Sequence, residues 1–223
     1  MIETYATPDA LADAAAAAVA TQLAEGLELR GRAGLVGTGG RSPGAVYDRL
    51  AAGGPDWSRV IVTLSDERCV PADDPASNQR LVRERLLRGP AARAAVLPLW
   101  PGPDPAALAA LRPFDAVMLG MGEDGHIASL IPGDPGLEDA LTTADATRLV
   151  PAGLGKPPAP RITLTLSALL DARAIFLLIA GETKRGVVQR ALAGEDLPVG
   201  RLISQCKPPH GAPIRIFWTP DGG

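Results

Sequence analysis

Phe114-Asp115-Ala116-Val117-Met118-Leu119-Gly120-Met121-Gly122-Glu123-Asp124-Gly125-His126 is the stretch on which the reading of this chain turns. Residues 114–119 form an apolar run that is continuous rather than alternating, the pattern of a short parallel strand buried on both faces. Glycines at 120, 122 and 125 let the backbone turn sharply where that strand ends. The turn delivers a carboxylate and an imidazole to the carboxyl edge of the sheet, where open α/β folds bind their ligands. The chain has only two histidines, so one at this position is a candidate acid–base group.

Outward from this stretch, strands and helices alternate. An amphipathic helix over 8–25 opens at Pro8-Asp9. An apolar strand at 33–37 runs into a glycine turn, and a helix follows from about Pro43 to Leu50. Val60 to Leu64 reads as a strand and Ser77 to Leu87 as a helix capped by Ser77 or a neighbour. A weak strand around Leu97-Pro98-Leu99 leads to a helix from Pro105 to Leu111. Beyond the strand 114–119 lies a Gly/Pro-punctuated stretch, 131–160, with little periodicity. Strands at Arg161–Leu166 and Ala174–Ala180, a helix at 182–193 and a strand near 214–218 complete the series. This alternation predicts an α/β fold with a mostly parallel sheet flanked by helices. One domain over 1–223 accommodates it, with 131–160 as the place for a lid or small subdomain.

Composition narrows the function. A chain of 223 residues buries roughly 70% of its unfolded surface, so its core needs no disulfides. The two cysteines, Cys69 and Cys206, form no CxxC pair and read as reduced thiols of a cytoplasmic protein. No run approaches the 18 or so apolar residues of a membrane span, and no basic-then-apolar leader opens the chain. The net charge is −3, with no basic stripe interleaved with aromatics, which argues against a nucleic-acid surface. Nearly all positive charge is arginine, because lysine occurs only at 156, 184 and 207.

Four strand ends carry polar groups. Val36-Gly37-Thr38-Gly39-Gly40-Arg41-Ser42-Pro43 is a strand–turn–helix junction whose free N–H groups suit a phosphate, with Thr38, Arg41 and Ser42 as further donors. It lacks the Gly-Lys-Ser/Thr ending of a P-loop and does not match GxGxxG. Ser65-Asp66-Glu67-Arg68 places three charged residues directly after a strand; the residues leave open whether Asp66 or Glu67 faces a ligand, or whether the cluster is a solvated loop. The third is the His126 turn. The fourth is Gly181-Glu182-Thr183-Lys184, with Lys184 in the first turn of a helix where the dipole disfavours a cation, a cost that a bound phosphate offsets. His210 reads as a loop residue without chemistry, and neither histidine has zinc-ligand spacing. Convergence of the four ends on one crevice favours a small anionic substrate, acid–base chemistry, and neither metal nor cofactor.

These motifs resemble those of the 6-phosphogluconolactonase family. Gly37-Thr38-Gly39-Gly40-Arg41-Ser42-Pro43, Ser65 to Pro71, Ser77-Asn78 and Gly120 to Gly133 stand in that family's order and spacing, and Pro160-Arg161-Ile162-Thr163 and Gly181 to Lys184 extend the match over most of the chain. The resemblance implies a Rossmann-like fold and hydrolysis of 6-phospho-D-glucono-1,5-lactone to 6-phosphogluconate in the oxidative pentose phosphate pathway. It further implies His126 as general base towards water, and Asp124 either holding the histidine or binding a sugar hydroxyl. Thr38, Gly39, Gly40, Arg41 and Ser42, with Arg68 and Lys184, are then expected to grip the phosphate. Asn78 and Arg161 are expected on the sugar hydroxyls or the oxyanion, and Asp66 among the substrate-binding residues. A monomer or homodimer with a small-molecule partner is expected. The related glucosamine-6-phosphate deaminases are the rival. They continue after the histidine with Phe-Asn-Glu-Pro, where this chain has Ser129-Leu130-Ile131-Pro132, so an apolar side chain replaces their glutamate. A non-catalytic sugar-phosphate sensor is a third reading, disfavoured because no helix-turn-helix segment is evident in the sequence.

Overall fold

In the computed structural model, which describes residues 2–155, 158–206 and 212–221, strand β1 (Ile2–Thr4) leads into helix α1 (Pro8–Arg30). Thr7 Oγ1 accepts the Ala10 N–H at 3.1 Å and caps this helix. The helix runs past the expected end at 25. Gly26 stays helical because its missing side chain admits the Asp115 carboxylate, which a Cβ there would overlap. The chain continues through β2 (Ala33–Gly37), α2 (Arg41–Ala52), β3 (Val60–Leu64), β4 (Asp66–Arg68), α3 (Asn78–Arg85), β5 (Ala95–Val96) and α4 (Pro105–Leu111). It then forms β6 (Ala116–Gly120), α5 (Leu137–Thr142), β7 (Thr147–Val150), β8 (Arg161–Leu164) and α6 (Leu166–Leu170), and ends with β9 (Ile175–Ala180), α7 (Glu182–Leu192), α8 (Pro198–Gln205) and β10 (Ile214–Thr219).

Seven strands form one sheet in the order β1-β10-β9-β6-β2-β3-β5, and every pairing in it is parallel. This is the Rossmann-like architecture that the strand–helix alternation and the motifs predict. Its central strands β2, β6 and β9 are buried almost throughout, which is why they read as unbroken apolar runs. From β2 the chain steps outward to β3 and β5, then returns to the other side of β2 with β6 and β9. The order therefore reverses between β2 and β6, and the loops after these two strands flank the crevice at that switch point.

Several expectations are corrected by local chemistry. The weak strand lies at Ala95–Val96, not 97–99; the Leu97 N–H still reaches the Val62 carbonyl at 2.9 Å, and Pro98, with no N–H, stops the ladder. Strand β6 spans 116–120, while Phe114 makes only an isolated bridge to Ala172. Strand β8 stops at Leu164 because Thr165 caps α6. Helix α2 begins at Arg41, so Arg41 and Ser42 belong to its first turn rather than to the loop before it. Ser77 caps α3, accepting the Arg80 N–H at 3.2 Å.

The charged cluster after β3 is not a solvated loop: it is strand β4, which joins β8 and β7 in a separate antiparallel sheet. The aperiodic stretch 131–160 contributes α5 and β7, and β7 pairs with β8 in that small sheet. His210, Lys156 and Lys207 lie outside the described residues. Among the described residues no helix is long and apolar enough to cross a membrane, and both cysteines are free.

Candidate active site

The loop after β2 is held from inside by a residue the sequence did not flag. The hydroxyl of Tyr47, on α2 and fully buried, accepts the Thr38 N–H at 2.7 Å and donates to the Thr38 carbonyl at 2.8 Å. The turn therefore presents its remaining groups outward. Gly40 is the N-cap of helix α2 and has no side chain to cap it, which leaves the N–H groups of its first turn directed at the crevice.

Strand β4 settles the Asp66/Glu67 alternative through its period of two. Asp66 and Arg68 face the cleft, and Glu67 faces away from it. Glu67, only 2% exposed, accepts the N–H groups of Asn78 and Gln79 at 2.7 Å each and the Ser77 hydroxyl at 3.0 Å. It anchors the start of α3, where a carboxylate is favoured. Asp66 accepts the Ser129 hydroxyl at 2.6 Å, the Ser65 hydroxyl at 3.2 Å and the Asn78 amide at 3.4 Å, and Arg161 Nη1 lies 3.7 Å away. Its carboxylate is the hub that aligns this wall of the cleft.

The turn after β6 closes on itself, with Gly122 N–H bonded to the His126 carbonyl at 3.0 Å. Inside it, Asp124 Oδ1 lies 2.6 Å from His126 Nδ1 and also accepts the His126 N–H at 3.2 Å. A Cβ at position 122 would overlap both side chains, so this pair requires glycine there. With Asp124 accepting from Nδ1–H, the lone pair of the neutral ring resides on Nε2. Two residues on, Ala128 takes φ 49°, a left-handed conformation costing about 1–2 kcal/mol for a residue with a Cβ. It carries the chain into the buried Ser129 that bonds Asp66.

These loops enclose a cleft of about 170 Å³. Thr38, Gly39, Gly40, Arg41 and Ser42 line it, as do Asp66, Arg68, Asn78, His126, Arg161 and Lys184. Asp124, expected either on the histidine or on a sugar hydroxyl, is absent from the lining and sits on His126 Nδ1. Four cationic side chains thus face one carboxylate, a potential suited to a dianion. Burial draws the Lys184 ammonium below the ordinary lysine range, with Arg41 pushing the same way and Glu123 opposing. Burial likewise lowers Arg161, offset by Asp66 and reinforced by Arg68. Arg68 lies opposite Arg161 in the β4–β8 register, and both line the same cleft as Lys184. Arg68 also donates through Nη1 to the Ala76 carbonyl. Tyr47 and Ser129 were the site residues missed; both act across sequence separations that carry no local signal. Among the described residues no group of three or more His, Cys, Asp or Glu side chains is arranged to hold a metal ion.

Fold and site together define a doubly wound α/β enzyme with a cation-lined cleft at its topological switch point. A model of the glucosamine-6-phosphate isomerases/6-phosphogluconolactonase family matches residues 6–210, and the chain belongs to that family. It is 38% identical to the 6-phosphogluconolactonase of Caulobacter vibrioides, covering 98% of this chain and 97% of that protein. With the 6-phosphogluconolactonase of Pseudomonas aeruginosa it shares 39% identity over 92% of this chain and 89% of the other. The crystal structure of a 6-phosphogluconolactonase from Shewanella baltica superposes with a TM-score of 0.88 at 39% identity, covering 98% and 97% of the two chains. A monomeric glucosamine-6-phosphate deaminase shares the fold, with a TM-score of 0.77 at 20% identity.

Proposed function

We propose that this enzyme hydrolyses 6-phospho-D-glucono-1,5-lactone to 6-phosphogluconate, with His126 as the general base. The carrying observation is His126, bonded to Asp124 through Nδ1, in the lining of a cation-rich cleft. Held through Nδ1, the imidazole offers Nε2 to a water molecule. As that water attacks the lactone carbonyl, Nε2 takes its proton, and the nearby Asp124 carboxylate stabilises the resulting imidazolium. Collapse of the tetrahedral intermediate breaks the bond to the ring oxygen, which recovers the proton from His126. Base assistance of this kind is worth roughly 10²–10⁴ in rate.

The first turn of α2, with Arg41 and Lys184, takes the phosphate in this reading. Arg68, Arg161, Asn78 and Asp66 take the remaining oxygens. The same architecture in a deaminase would use a carboxylate behind the histidine; here that position is Ile131, buried and apolar. The two free thiols fit a cytoplasmic site of action.

The test generates the lactone with glucose-6-phosphate dehydrogenase and follows its loss above the spontaneous rate. His126→Ala is expected to lower kcat by about 10²-fold or more. Near-normal kcat in that variant would remove the base from His126. Ammonia release from glucosamine 6-phosphate without lactone turnover would transfer the chain to the deaminase reading.

A further inference from the structure

Lys184 is delivered by the turn between β9 and α7, and that turn is clamped from the adjacent strand. The Gly181 N–H donates to the Thr219 carbonyl of β10 at 2.9 Å. The Trp218 indole Nε1–H donates back to the Gly181 carbonyl at 3.0 Å. Gly181 is the N-cap of α7 and has no side chain with which to cap it, so the geometry of this turn is set from outside the helix.

The same indole, 4% exposed, carries the Arg185 guanidinium carbon 4.3 Å above its ring. Arg185 Nη1 also lies 3.5 Å from Glu182 Oε1. Of two adjacent cations at the start of α7, Lys184 lines the cleft and Arg185 does not. Apolar packing alone does not explain a tryptophan here, because a phenylalanine would bury comparable ring surface. The indole N–H is the group that the Gly181 carbonyl uses.

We propose that Trp218 is a positioning residue for phosphate recognition: its N–H fixes the Gly181 turn that aims Lys184 into the cleft, while its ring face holds Arg185 outside. This rests on Lys184 being a phosphate ligand, and the experiment separates the two claims. Trp218→Phe keeps a ring for Arg185 and removes the N–H. It is expected to raise KM for 6-phosphogluconolactone about five-fold with kcat held within about two-fold, as loss of one hydrogen bond predicts. Hydrolysis of unphosphorylated glucono-1,5-lactone should be unchanged, a pattern that general loosening of the fold would not give.

Lys184→Ala serves as the reference, and the double variant should be no worse than Lys184→Ala alone. Raised KM in Lys184→Ala with normal KM in Trp218→Phe overturns the role of Trp218 and leaves the phosphate reading intact. Normal KM in Lys184→Ala removes the phosphate reading, and this inference with it. Equal losses on both lactones in Trp218→Phe reduce Trp218 to a structural residue. Should Trp218→Phe not fold, the assigned Trp218 indole N–H resonance of the unaltered protein decides. It is expected to shift as inorganic phosphate is titrated, and a resonance that stays in place overturns the proposal.

Discussion

Lys184 works from an unfavourable position. It lies in the first turn of α7, where the helix dipole repels a cation, and burial, joined by Arg41, lowers its pKa from the ordinary 10.5. A dianion in the cleft offsets both penalties. The sign of the pH dependence follows. The ammonium binds phosphate only while protonated, and its folded-state pKa is depressed, so the charge is lost at a lower pH than for a free lysine. Affinity for inorganic phosphate is therefore expected to weaken as pH rises from about 7 towards about 10. Lys184→Arg, which stays charged over that range, should flatten this limb. Calorimetric titration of phosphate into both proteins checks it, and identical alkaline limbs would contradict the assignment. At this scale the sequence was informative: a rare lysine after a strand, and a histidine behind three glycines, both reach the cleft. The partner of Asp124 was not legible, because a carboxylate two residues before an imidazole can hold the ring or turn to a sugar hydroxyl, and the letters are the same.

At the scale of elements, the site is made of strand ends and helix starts, some of whose orphan groups are closed from inside while those of α2 are left open to the cleft. Tyr47 closes both backbone groups of Thr38, and Glu67 closes the start of α3. Tyr47→Phe leaves a buried N–H and a buried carbonyl unpaired, an expected loss of about 1–3 kcal/mol. Its melting temperature should fall by about 2–12 °C, and KM for the phosphorylated lactone should rise as the α2 turn loosens. An unchanged melting temperature and KM would show the loop to be held by other means. The charge triplet 66–68 was visible in the sequence, yet its meaning was not. Only pairing with β8 makes it a strand, and only then does the period of two send Asp66 and Glu67 to opposite jobs.

At the scale of the whole molecule, the cleft and a buried ion cluster sit at opposite ends of the seven-stranded sheet. The carboxyl ends of β2 and β6 and the start of α7 carry the cleft, with β4 of the small sheet as one wall. At the amino ends, Asp115 is fully buried, pairs with Arg30 at the end of α1 and lies 3.4 Å from Arg173. It also accepts the Gly34 N–H at 2.7 Å. Asp115→Asn strips the charge that these two partly exposed arginines face, an expected cost of about 2 kcal/mol or more and about 4–8 °C of melting temperature. Kinetics with the lactone at 25 °C should be unchanged; a comparable loss of kcat/KM would show that the two ends are coupled.

The sequence by itself determined the elements and the reactive groups. Continuous apolar runs dictate strands buried on both faces, glycines dictate where the chain turns, and the motifs dictate which side chains stand at those turns. Tertiary structure decided which of them meet. The return of the chain from β5 to β6 across β2 brings residues 38–42 and 121–126 to one crevice and Asp66 to its bond with Ser129, and the pairing of β10 with β9 gives Gly181 its bond to Trp218. Such contacts join residues tens of positions apart, and local periodicity records nothing about them, because strand order is set by how the helices pack on the sheet.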